Sequence, residues 1–161
     1  MKKLLSFFLC LAAITVSPAA GKAPKPPKGV FTVETYAEAK SQAIAEKKLL
    51  VYMWSELEST CPLCSAGTDA AMKAFKSNKD AVLVFGEGAE TNHAPAGLRG
   101  SLHEAAKRGN AIPVVIIVDP NTEKMLAYGC YTQFAQDERV WKKMLKEAQA
   151  SMSKPAAGKA S

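Results

Sequence analysis

Three short apolar runs constrain this chain most: Leu49 to Trp54, Ala81 to Phe85 and Val114 to Val118. Each is too short for a buried helix, and none shows the polar alternation of a half-exposed strand. Such runs fit strands covered on both faces. Helical patterns separate them. Tyr36, Ala39, Ala43 and Ile44 share one face, and Thr35 with Glu38 has capping-box spacing, which predicts a helix to about Lys47. Leu63, Ala70, Ala71 and Phe75 give the buried face of a second helix ending near Lys76. Gly67 inside it costs about 1 kcal/mol relative to alanine and marks a bend. Gly86 to Gly100 reads as a long loop, and Ser101 with Glu104 opens a short third helix ending at Gly109.

Val30 to Val33 precedes these elements as an edge strand. After them, Asp119-Pro120-Asn121 makes a turn, and Lys124 to Tyr128 pairs back as a hairpin. From about Gln136, Val140, Trp141, Met144, Leu145 and Ala148 line a strongly amphipathic terminal helix. The order βαβαβαββα predicts an α/β protein with a mixed central sheet between two helical layers. A reactive site then belongs at the carboxyl ends of the parallel strands.

The ends of the chain read differently. Met1-Lys2-Lys3 followed by the apolar run Leu4 to Val16 and small residues at Ser17, Ala19 and Ala20 has signal-peptide form. The run is short for a bilayer span, although an uncleaved anchor is the alternative. Residues 1–20 are therefore assigned as a signal peptide, 21–29 as a Pro/Lys-rich linker, 30–152 as the folded domain and 153–161 as a disordered tail. Cys10 leaves with the signal. Its removal also lowers the formal charge from +6 to +4, because Lys2 and Lys3 go with it. No basic stripe is interleaved with aromatics, so nucleic acid is not an expected partner. Membrane contact is expected only transiently, through the signal. The expected location is periplasmic or secreted, where disulfides persist.

That location bears on Cys61-Pro62-Leu63-Cys64. Cys61 suits a helix N-cap, Pro62 suits the first helical turn, and Cys64 falls one turn in. Backbone N–H groups and the helix dipole at such a terminus stabilise a thiolate. Three readings stay open from the residues: a redox-active pair, a structural disulfide and metal ligation. A closed zinc site needs four ligands, and only Cys130, His93 and His103 remain to complete one, without paired spacing. Soft thiolates also favour Cu(I), but no methionine cluster stands near the motif. Solvated surface positions are expected for both histidines. If Cys61 and Cys64 pair, Cys130 is left over.

The chain from about Phe31 to Met152 resembles the thioredoxin superfamily, in particular thioredoxin-like domains of exported bacterial proteins. The resemblance rests on LLVYMWSE (Leu49 to Glu56), on the helix-start CxxC, on AKRGNAIPVVIIVDP (Ala106 to Pro120), and on the hairpin to Tyr128-Gly129 with its terminal helix. It implies a thioredoxin-like three-layer α/β/α fold and a thiol–disulfide oxidoreductase without a cofactor or metal. By the same resemblance, Cys61 is the nucleophile and Cys64 the resolving thiol. Pro113 is a cis-proline facing them, and Ile112 offers its backbone to an extended substrate segment. Trp54 is either a core residue or a substrate-binding one that shields the sulfurs, and Cys130 is either a small semi-buried residue ending a strand or an auxiliary thiol at the groove corner. Its partners are protein thiols and disulfides of the cell envelope, with an unknown redox partner.

This sequence departs from the family at three points. Thr60 replaces the tryptophan before the first cysteine, about three extra residues follow Trp54, and Tyr52 stands where the family has a buried acid. Glu56 and Glu58 are candidates to replace that acid, against the simpler reading of solvated loop charges. The rival function is a non-catalytic thioredoxin-like binding module with a structural disulfide.

Overall fold

Alternation along three of the strands builds two cores at once. The computed structural model describes residues 26–87, 94–108, 112–131 and 137–152. The signal peptide, most of the linker, His93 and the tail from 153 onward lie outside the described residues. The chain runs β1 (Phe31–Thr32), α1 (Tyr36–Ala45), β2 (Leu49–Ser55), α2 (Pro62–Lys76) and β3 (Ala81–Glu87). It continues with a 3-10 turn (Ala96–Leu98), α3 (Arg99–Arg108), β4 (Val114–Val118), β5 (Met125–Cys130) and α4 (Glu138–Met152). The strands form one sheet in the order β1-β3-β2-β4-β5. β1, β3 and β2 are mutually parallel, whereas β4 runs antiparallel to β2 and β5 antiparallel to β4.

Successive side chains of a strand point to opposite faces. Leu49, Val51, Met53, Leu83, Phe85, Val115 and Ile117 form one buried cluster with α2 and α4. Leu50, Tyr52, Val82, Val84, Val114, Ile116 and Val118 form the other with α1 and α3. Each fully buried aliphatic side chain contributes about 1.5–3 kcal/mol of hydrophobic free energy, so β2 and β4 anchor both layers. Phe75 of α2 meets Trp141 of α4 edge to face, with centroids 5.8 Å apart. The result is the thioredoxin-like α/β/α sandwich with a mixed sheet.

Several local expectations are corrected. Thr35 precedes α1 but makes no side-chain cap, because its hydroxyl accepts from the N–H of Thr32 at 2.9 Å instead. Ile44 is exposed. Leu63 is 57% exposed and not part of the buried face of α2. That face is Gly67, Thr68, Ala71, Met72, Ala74 and Phe75. Gly67 lies within an unbroken α2, and its role is a close approach: a Cβ there would collide with the ring of Tyr131 and come within 3.0 Å of Pro113 Cδ. The Gly86 to Gly100 stretch is not all loop. β3 continues to Glu87, the 3-10 turn occupies Ala96–Leu98, and α3 begins at Arg99. Ser101 is therefore inside α3 and is not its cap.

Candidate redox site

Cys61 and Cys64 stand where β2 delivers the chain to α2, at the carboxyl end of the parallel β2–β3 pair. Five residues, Glu56 to Thr60, connect the strand to the motif. They are fastened on both sides. The N–H of Leu57 donates to Glu87 Oε1 at 3.2 Å, which ties the connection to the end of β3. Ser65 Oγ donates to the carbonyl of Ser59 at 3.0 Å, and Ser59 Oγ accepts from the N–H of Cys61 at 3.3 Å.

Cys61 is the N-cap of α2, with extended backbone at φ −80° and ψ 112°, and Pro62 opens the helix. Its carbonyl accepts the first helical bond, from the N–H of Ser65 at 3.0 Å. Its sulfur caps the helix by accepting from the N–H of Cys64 at 3.4 Å. Cys61 is exposed and Cys64 half-buried.

The two thiols are electrostatically unlike. The Cys64 thiol donates to the Cys61 sulfur, the Cys64 and Leu63 N–H groups point at it, and its pKa is held below that of an ordinary thiol. The same hydrogen bond keeps the proton on Cys64, whose pKa is raised; burial and the charge on Cys61 add to this, and Glu56 adds a further increment. Glu56 is thus the acidic group felt at the motif, and its charge disfavours the Cys64 thiolate. Glu87 is raised by burial and by the charges of Glu58 and Glu56. Tyr52 is no base here: burial and the charge of Glu34 push its pKa to about 12.

The Ile112–Pro113 peptide bond is cis. Pro113 is buried and Ile112 half-buried, and Pro113 reaches α2 at Gly67, one turn beyond Cys64. Trp54, Val114 and Cys130 occupy one row across β2, β4 and β5. Trp54 and Cys130 both pack with the α1/α3 cluster, and Cys130 is only 1% exposed. The fold therefore places Cys61 and Cys64 at the start of α2 and brings Pro113 against the next turn of that helix, at Gly67, and it directs Trp54 and Cys130 to the other face of the sheet. His103 is exposed on α3. Among the described residues, no group of three His, Cys, Asp or Glu side chains is arranged to hold a metal. An open cleft of about 590 Å³ between Asn78, Asp80, Lys142 and Lys146 lies at the opposite end of α2 from the thiols.

Sequence reading missed the polar groups that secure the motif: Ser55, Ser59, Ser65, Thr68 and Glu87. Only Ser59 and Ser65 carried a local signal, since a serine two residues before an N-cap and one inside the first turn commonly bond to nearby backbone. Glu87 and Tyr131 reach the site through tertiary contacts.

No known protein family and no curated protein matches the sequence. Among solved structures, a chain described as a DsbH oxidoreductase is similar, with a TM-score of 0.44 and 15% identity. The match covers 83% of this chain and 95% of that one. The fold assignment rests on the strand order and connections themselves. A redox role fits a CxxC-type pair placed in that fold.

Proposed function

We propose that the protein is an exported thiol–disulfide oxidoreductase whose Cys61/Cys64 pair exchanges with disulfides or thiols of envelope or secreted proteins. The observation that carries this reading is the asymmetry of the pair. An exposed sulfur at a helix N-cap with a lowered pKa sits beside a half-buried one with a raised pKa. Cys61 then acts as the nucleophile. Its thiolate attacks a substrate disulfide, forms a Cys61–substrate bond and releases the other substrate sulfur as a thiolate, which takes a proton from water. Cys64 gives its proton to water and attacks Cys61 Sγ, closing the Cys61–Cys64 disulfide and releasing the second substrate thiolate. The substrate gains two electrons and the protein loses two. The reverse sequence oxidises a dithiol substrate.

Ile112 and Pro113 would present backbone to an extended substrate segment, and Leu63 offers an exposed apolar contact beside the sulfurs. The export component rests on the sequence of residues 1–20. No helix among the described residues is long and apolar enough to cross a membrane.

The test is exchange with glutathione and with a model protein disulfide, together with a trap. Cys64→Ser should accumulate a Cys61 mixed disulfide, and Cys61→Ser should accumulate none. Failure of wild type to exchange would sink the proposal. A potential well below about −300 mV would instead assign a structural disulfide and a binding module.

A further inference from the structure

Ser55 and Thr68 are the two buried polar residues of the described core, 0% and 4% exposed, Ser55 at the end of β2 and Thr68 on the buried face of α2. Burying a hydroxyl among apolar side chains is unfavourable unless it is hydrogen-bonded. Here the bonds form a directed chain. Thr68 Oγ1 donates to the carbonyl of Cys64 at 2.9 Å. A hydroxyl has one proton, so the 2.5 Å contact between Ser55 and Thr68 has Ser55 donating. The end of the central strand is thereby linked, hydroxyl to hydroxyl to carbonyl, to the peptide of Cys64. Each donor in such a chain polarises the next.

We propose that Ser55 and Thr68 are positioning residues for Cys64, fixing its backbone to β2 so that Cys61 is the partner that moves when the disulfide closes and opens. This rests on the redox reading of the pair. The two cysteines are anchored very differently. Cys64 is inside α2 and tied to the sheet through Thr68, whereas Cys61 is the exposed N-cap, held only by local bonds from its N–H to half-buried Ser59 and from the N–H of Ser65 to its carbonyl. Closing the ring brings the sulfurs to about 2.05 Å, with a narrow range of dihedral angle. A fixed Cys64 presents its sulfur to Cys61 Sγ at high effective concentration. The step served is the second one, in which Cys64 displaces the substrate sulfur from Cys61 and the released thiolate takes a proton from water. The first step, attack by exposed Cys61, does not need the chain.

A hydroxyl that bonds the carbonyl four residues earlier also occurs as simple helix decoration, so the test must separate geometry from stability. Thr68→Val keeps shape but strands the Ser55 hydroxyl, and is expected to destabilise the protein. Ser55→Ala/Thr68→Val removes both partners, and stability by urea unfolding should return close to wild type. Reduced protein is mixed with oxidised glutathione and quenched, and the mixed disulfide and closed ring are resolved by mass. In the double variant, ring closure and the equilibrium constant for the Cys61–Cys64 disulfide against glutathione should fall about tenfold, with formation of the mixed disulfide changed less than about twofold. Thr68→Ser should restore both. If the double variant closes its ring at the wild-type rate with the wild-type constant, the proposal is overturned while the redox reading stands. If wild type never closes a ring, both fall. Should Thr68→Val not fold, the double variant and Thr68→Ser still decide the outcome.

Discussion

Gly67 presents its bare Cα to the ring of Tyr131, so that α2 and the residue following β5 touch where any Cβ would intrude. Pro113 closes the same gap from the third side. Gly67→Ala gains about 1 kcal/mol of helix propensity. It must also displace the Tyr131 ring and the proline, and overpacking of this kind costs about 1–3 kcal/mol. Urea unfolding should therefore show Gly67→Ala less stable than wild type. Gly67→Ala should cost less in a Tyr131→Ala background than in wild type, because the closer obstacle is then gone. An alanine variant as stable as wild type would mean that Tyr131 moves aside freely.

The unequal thiols predict an unequal pH response. Thiolate is the reactive form, and an unperturbed cysteine titrates near pH 8.5. Iodoacetamide alkylation of Cys61 should reach half its limiting rate below that pH, and alkylation of Cys64 in the wild-type dithiol should be slower near neutrality. Glu56→Gln removes a negative charge that raises the Cys64 pKa, so it should speed Cys64 alkylation at fixed pH in the otherwise wild-type dithiol. The effect should be small, because Cys61 and burial outweigh Glu56. Mass mapping of modified peptides over pH 5–9 measures all three.

The legible parts of the molecule were those fixed by local chemistry. The runs of β2, β3 and β4 announce themselves because both faces are covered, and Cys61 reads as an N-cap because Pro62 can only follow one gracefully. Leu63 does not fit its pattern: it lies on the same helical stripe as buried Gly67 and Ala71, but it is in the first turn of α2, where its side chain is 57% exposed. Gly67 signals weak helix propensity and cannot signal Tyr131, which is 64 positions away in the chain. Thr35 offered a capping box, but the N–H of Thr32 took its oxygen. The Ser55–Thr68 chain was illegible because a serine ending a strand and a threonine inside a helix look solvated until the two elements pack.

Cys130 should behave as a core residue. It ends β5 opposite Val114, is 1% exposed, and faces the α1/α3 cluster. Ellman's reagent should therefore modify Cys61 and Cys64 in the native reduced protein, with Cys130 reacting only on denaturation. Cys130→Ser should fold, at a cost of about 1–3 kcal/mol for burying a hydroxyl in a site shaped for sulfur, and it should retain the glutathione exchange of wild type. Loss of exchange in a folded Cys130→Ser protein would assign that sulfur a part in the chemistry.

Away from the thiols, Tyr36 of α1 donates to Glu123 Oε1 at 2.7 Å, across 87 residues of chain, and Lys40 Nζ lies 3.1 Å from the same oxygen. Glu123 sits in the β4–β5 turn with φ 54°, and Gly97 leaves room for its carboxylate against the 3-10 turn. The hydrogen bond from Tyr36, and then Lys40, hold the Glu123 pKa below its ordinary value. Burial first, and the Glu123 carboxylate second, raise that of Tyr36. Because the folded pKa of Glu123 is the lower one, its contribution is complete above the unfolded value near 4.3 and is lost as pH falls through the folded value. Tyr36→Phe should cost about 1 kcal/mol at pH 7, less than a fully buried bond to a charged group, since Glu123 remains partly solvated. That cost should shrink below about pH 4, where wild type also loses the contribution. Urea titrations of both proteins at pH 3 and pH 7 give the comparison, and an equal difference at the two pH values would show that the ionised Glu123 is not what Tyr36 stabilises.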